Sequence, residues 1–335
     1  MKMKKFAALF LVLVFFAACR ENSRFAINTA EHYYEAEIKR FDKDLIQLDT
    51  AALYQGFLDL YNKYPDFFPV YLSNVLLIEP DDTANAADFI REFLSDTVFA
   101  AVNKDVLQTY SKIGHLEKSV SEAYTYIHYY FPAVSLPEVY FFVSGFNLSV
   151  MMTEKILAMG TDMYLGADYP LYEDLTYDYM TANMKPENLV SDMISALLFR
   201  EFGMDSRRGR LLDNMLYRGK VMYLLSVCLP GEKPENLIGY TSEQLKWCRR
   251  YERKIWASMI DQKHLFSTDN FLIRKYMNDA PFTSPVSPDS PGRLGTWLGW
   301  QIVKSYMQHN ENATLEDLMK INDYQKLLED SGYRP

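Results

Sequence analysis

Four carboxylates, Asp162, Asp168, Glu173 and Asp174, gather around Gly166. Oxygen ligands of this kind can hold calcium, and a carboxylate pair can do acid/base work. Their spacing matches no ligand loop, so a polar turn leading out of a strand is the favoured reading. A second candidate is Ser290-Pro291-Gly292-Arg293-Leu294-Gly295, which opens a helical pattern. The free N–H groups of a helix start can receive an anion, with Arg293 helping. The plainer alternative is a proline–glycine turn entering a helix. On that helix Trp297, Trp300, Ile302 and Val303 form a stripe, which packs more often than it binds, although Trp297 stays a candidate contact. A zinc hydrolase needs imidazoles one helical turn apart with a carboxylate to activate water. The histidines are His32, His115, His128, His264 and His309, and no two stand three or four apart. A Gly-x-Ser-x-Gly elbow, a phosphate-cradling glycine loop and a dinucleotide fingerprint are also absent, so no cofactor is expected.

The N-terminus carries an address. Residues 1–5 hold three lysines and residues 6–18 are uninterrupted apolar. A run this short cannot span a hydrocarbon core, which needs about 20 residues. A charged start and a short apolar stretch ending in small residues make a secretory signal. It closes on Phe16-Ala17-Ala18-Cys19, which resembles a bacterial lipobox. That resemblance implies cleavage before Cys19 and acylation of its thiol and new amine. Several acyl chains on one residue suffice for stable anchoring. Loss of residues 1–18 removes three lysines and deepens the net charge from −9 to −12. Surface-displayed lipoproteins of the Bacteroidetes resemble one another in an acidic run just after the cysteine. Here Arg20-Glu21-Asn22-Ser23-Arg24 follows, which favours an outer-membrane lipoprotein facing the periplasm. Cys228 and Cys248 remain in the body, either as a disulfide or as two buried thiols. They lie at the end of one helical stretch and inside the next, where antiparallel neighbours would bring them together.

The elements that must position these residues follow from composition and period. The chain has 335 residues, 49% apolar and 24% charged, the balance of a globular protein with a sizeable core. Disordered and fibrous classes are excluded. With 35 basic against 44 acidic residues, the charge has the wrong sign for a nucleic-acid binder. The region up to 131 reads as helical, with Leu116, Val120, Tyr124 and Ile127 at helical spacing and Pro132 as a stop. Residues 138–145 are β-branched and aromatic and read as a strand closed by Gly145, with 157–164 as a second. Helical patterns resume over 187–203, 211–227, 241–262, 294–308 and 314–330. Thr241 opens a capping box with Gln244, and Thr314 is a cap for the last segment. The stretch 280–293 holds four prolines and must be irregular. The expected fold is α+β, predominantly helical with a small sheet. One domain over 35–335 should follow a tether of residues 19–34.

The C-terminal half resembles the gliding-motility lipoprotein GldB family of the Bacteroidetes. The resemblance rests on Ile238-Gly239-Tyr240-Thr241, Trp247-Cys248, Glu252, Ile255-Trp256, Ala280-Pro281-Phe282 and above all the run Ser290 to Val303. Upstream, Arg40-Phe41-Asp42, Lys63-Tyr64-Pro65 and Met163-Tyr164-Leu165-Gly166 fit as well. That family is similar to zinc proteases of the zincin type, with a His-Glu-x-x-His helix and a second helix bearing a Glu-Gly pair. The resemblance implies a degenerate peptidase-type scaffold. The first helix would hold Ser195 to Glu201 without either histidine, and Arg218 of Arg218-Gly219 would stand at the metal-binding glutamate. A cation there opposes zinc, so the resemblance implies the fold and argues against the activity. The reading is a non-enzymatic envelope lipoprotein that binds another envelope protein, as an accessory of a gliding or secretion apparatus. The alternative is an envelope hydrolase with a site around Asp162, Asp168 and Arg293. A converging pocket would favour the hydrolase, and an exposed aromatic patch the binding protein.

Changing Cys19→Ala should release the protein from the membrane fraction. Sedimentation of the variant with membranes after a high-salt wash would show that the anchor lies elsewhere.

Overall fold

The computed structural model describes residues 23–204 and 209–335. Cys19 and the signal segment lie outside them. The chain falls into two compact units built from discontinuous segments. The boundaries come after Tyr33, Tyr124, Phe131 and Glu201. One of them lies inside a helix, which is why no proline- or glycine-rich linker announces the division.

The first unit, Tyr34–Tyr124 with Pro132–Glu201, carries the sheet. Its strands are β1 (Ile38–Lys39), β2 (Glu138–Phe142), β3 (Val150–Met152) and β4 (Ile156–Gly160), in the order β1-β2-β4-β3. β2 runs parallel to β1 and to β4, with Val139 opposite Leu157 and Phe142 opposite Gly160, while β3 is antiparallel to β4. Every residue of β4 is buried, and so are the last four of β2. Continuous apolar runs are what a sheet covered on both faces requires.

The helices here are α1 (Phe41–Ile46), α2 (Leu53–Lys63), α3 (Thr83–Ser95), α4 (Thr97–Thr109), α5 (Gly114–Tyr130) and α6 (Leu189–Glu201). α5 continues past Tyr124, where the unit boundary falls. Asp82 and Asp96 cap α3 and α4 by accepting backbone N–H bonds. α1 packs on β2 and α6 on β4. The core is aromatic: Phe41 meets Tyr64, Phe67, Phe68 and Tyr71, and Phe67 stacks on Tyr140 at 4.3 Å. Offset and edge contacts of this kind add about 0.5–1.5 kcal/mol per pair beyond burial.

The second unit holds α7 (Leu211–Cys228), α8 (Ser242–Asp261), α9 (Asn270–Met277), α10 (Leu294–His309), α11 (Leu315–Lys320) and α12 (Tyr324–Ser331). α7 and α10 are buried on nearly every side and form the centre. Their backbones touch. A Cβ on Gly219 would lie 2.3 Å from the Gly299 carbonyl, and one on Gly299 would lie 1.9 Å from the Met215 oxygen. Gly295 leaves room for Met277, whose sulfur would be 2.4 Å from an added Cβ. Thr241 closes its capping box with Gln244, as its sequence predicts.

Three expectations shift. The strand expected over 157–164 ends at Gly160, because Thr161–Met163 tightens into a 3-10 turn. That turn is held where Thr161 donates to the Phe142 carbonyl at 2.9 Å. The helix expected over 314–330 is two, α11 and α12. The ammonium of buried Lys220 donates to the carbonyls of Met319 and Ile321 at 3.1 and 2.7 Å, ending α11, and Asp323 then caps α12. Strand β2 stops at Phe142, ahead of Gly145.

Gly299→Ala should cost at least about 1–3 kcal/mol in urea unfolding, since the added methyl overlaps a helix backbone that has nowhere to retreat. A loss below about 0.5 kcal/mol would mean that the helices separate easily.

Candidate functional site

In the second unit, polar side chains converge where α7, α9 and α10 meet. Arg218 precedes the Gly219 crossing, and its guanidinium donates to the Met277 carbonyl at 2.7 Å. Arg293 donates through Nε to Asp279 at 2.9 Å and through Nη2 to the Gly239 carbonyl at 3.0 Å. Both cations therefore close on the short segment 277–279. Arg293 also stands 5.8 Å from the ring of Tyr240, whose buried hydroxyl donates to the Gly292 carbonyl at 2.6 Å. Burial first, and then the charge of Arg293, hold Arg218 below the usual arginine range, with Asp279 opposing. Asp279, paired with Arg293 and acting on Arg218 through its charge, is 59% exposed.

The turn feeding α10 is built from 280–293, irregular as the prolines require. Thr283 donates to the Pro291 carbonyl at 2.8 Å and accepts from Leu294 N–H at 3.4 Å, while Ser290 accepts from Thr283 N–H at 3.0 Å. Gly292 has no room for a Cβ, which would sit 2.4 Å from the Ala280 oxygen. Arg293 takes a left-handed φ of 56°, rare for a residue with a side chain. The helix start thus spends one N–H on Thr283, and the cationic pair beside it is what distinguishes this region.

The remaining predicted residues do other work. Asp162 is buried at the end of β4 and accepts from Ser144 N–H at 3.0 Å and Phe146 N–H at 2.7 Å. Burial raises its carboxyl above the ordinary range, against those hydrogen bonds. It ties the 144–148 loop to the sheet. Asp168, Glu173 and Asp174 are exposed and do not join it. Among the described residues no three His, Cys, Asp or Glu side chains are placed to hold a metal ion. Asp162 and Asp168 belong to the first unit, and Arg218, Arg293 and Trp297 to the second. Trp297 is core and presents no contact surface. Cys228 and Cys248 are both free and buried. Burial pushes both thiols far above the usual range, which keeps them unreactive.

The residues that the zincin resemblance would place at a metal do not fit a zinc ion. In α6, Leu197 and Leu198 are core. Glu201 is paired with Arg200 at 2.6 Å, and Arg200 donates onward to the Thr153 and Ser135 carbonyls at 2.6 and 3.2 Å. That pair fastens the end of α6 to the loops around β2 and β4. Arg218 offers no lone pair to a cation.

One feature escaped sequence reasoning. On α2, Leu53, Phe57 and Leu60 are buried, while Tyr54, Leu58 and Tyr61 form a second apolar face that is 67%, 37% and 39% exposed. Paired apolar residues at each turn are also what an ordinary core-facing stripe shows, so the sequence alone does not single out the exposed face.

These features define a predominantly helical α+β protein with a small mixed sheet. The chain belongs to the gliding motility protein GldB family, a family of lipoproteins whose sequence model matches residues 22–335. No curated protein and no solved structure matches it. Among the described residues no helix is long and apolar enough to cross a membrane.

Native protein should leave Cys228 and Cys248 unreacted with a maleimide, whereas the denatured, unreduced protein should take up label at both. Uptake only after reduction would restore the disulfide.

Proposed function

We propose that this chain is a non-enzymatic, lipid-anchored envelope protein that serves a gliding or secretion-type apparatus by binding another envelope protein. In this reading it sits at the outer membrane and faces the periplasm, on a peptidase-type scaffold that has lost its metal. Family membership supports the setting. The observation that carries the binding role is the Tyr54–Leu58–Tyr61 face of α2. It is contiguous along two turns, and aromatic side chains bring large contact area at low entropic cost. The residues at the zincin positions support the loss of metal: two core leucines, an internally paired Glu201 and a cationic Arg218.

A photo-crosslinking residue at Leu58 in cells should capture an envelope protein. The double variant Tyr54→Ser, Tyr61→Ser should abolish co-purification of that protein while shifting stability by no more than about 0.5 kcal/mol, as for other surface changes. Unchanged co-purification would refute the role of this face. Metal analysis of protein purified without chelator, alongside digestion of a broad peptide library, tests the enzymatic alternative. Stoichiometric zinc with chelator-sensitive cleavage would overturn the proposal.

A further inference from the structure

Arg218 and Arg293 reach the same three-residue segment from different helices. Arg218 binds the Met277 carbonyl and Arg293 the Asp279 carboxylate. Two full positive charges thus stand together against one carboxylate, itself 59% exposed. Neither cation is free to leave. Arg218 is half-buried and fixed by the adjacent helix crossing at Gly219. Arg293 is pinned by Gly239, lies against Tyr240 and takes a left-handed backbone held by the tight Gly292 turn. Bringing two guanidinium groups together in a half-buried place is unfavourable without matching negative charge. Asp279 supplies half of it.

Each guanidinium has five N–H donors in a planar fork, and the contacts above use only three of the ten available. Fork geometry matches carboxylate oxygens side-on, and Asp279 on Arg293 already shows the site accepting one carboxylate. We propose that Arg218 and Arg293 form a receptor for a second carboxylate, presented by an acidic segment of a protein partner. This rests on the protein-binding reading above. Asp279 is then both scaffold and internal competitor. Its charge lowers the site's affinity for the incoming carboxylate and leaves the site less unfavourable when empty.

The test uses detergent-solubilised full-length protein at fixed ionic strength. The probes are a Glu-rich peptide with an amidated end, the same peptide with Gln for Glu, and inorganic phosphate, followed by calorimetry. The Glu peptide should bind saturably and the Gln peptide should not. Arg218→Gln should weaken binding at least tenfold. Asp279→Asn should strengthen it several-fold, a gain that a purely structural role for these residues would not produce. No saturable binding, equal binding of the Gln peptide, or no gain in the Asp279→Asn variant would overturn the proposal. Full displacement of the peptide by equimolar phosphate would also overturn it, marking a site for free oxyanions. Failure here with the Leu58 crosslink intact removes only the carboxylate receptor, whereas loss of both removes the binding reading itself.

Discussion

The contact between Gly219 on α7 and Gly299 on α10 sets the second unit. Glycine inside a helix costs about 1 kcal/mol against alanine. Two such positions survive because removing both side chains lets the backbones themselves pack, with dispersion contacts along the whole crossing. The consequences run outward in sequence. Arg218 precedes one glycine, so the crossing fixes where its side chain leaves α7. Gly295, one turn before Gly299, admits Met277, which brings the end of α9 beneath the start of α10. The segment after α9 then lies within reach of both arginines.

A dry core makes every polar group inside it accountable, and most of them serve as fasteners. Lys220 terminates α11 by donating to its last carbonyls. Asp162 binds the 144–148 loop, and Asp42 is held by Arg40 at 2.8 Å. Burial raises both carboxyls, so in the pH range just above the ordinary carboxylate value the folded state binds more protons than the unfolded one. The contribution of these two groups to stability therefore falls as pH rises through that range. Each has its partners within the chain. The arginine pair differs, because its positive charge exceeds the negative charge that the chain supplies beside it.

Legibility in the sequence followed the range of the interaction. Local signals held: the capping boxes of Thr241 and Thr314, the proline-rich irregularity of 280–293, and the apolar run of β2. Elements decided by tertiary partners were not readable. β1 has two residues and exists because β2 pairs with it. The break between α11 and α12 depends on Lys220, about 100 residues earlier in the chain. Arg218 and Arg293 drew attention separately, one as an obstacle to zinc and the other as an anion helper. Their convergence needed Asp279, whose role no spacing encodes. The α2 face is not legible in the sequence because its buried and exposed apolar residues alternate in pairs, the width of an ordinary core-facing stripe.

Under the proposed reading, each of the two surface features would contribute a different property to recognition. An apolar face such as Tyr54–Leu58–Tyr61 attracts any partner that can cover it, and so supplies affinity with little direction. A fixed pair of guanidinium groups is directional and rejects a partner that arrives without a carboxylate, because the desolvated cations would stay uncompensated. The net charge sharpens this. A body whose net charge is −9 for the full chain, and −12 without residues 1–18, repels acidic partners at long range, so a carboxylate would gain at Arg218 and Arg293 only within about one Debye length, ~8 Å at physiological salt. Positive charge placed this way does little to speed encounter. It would discriminate after contact, as the proposed reading of a lipid-anchored protein with envelope partners requires.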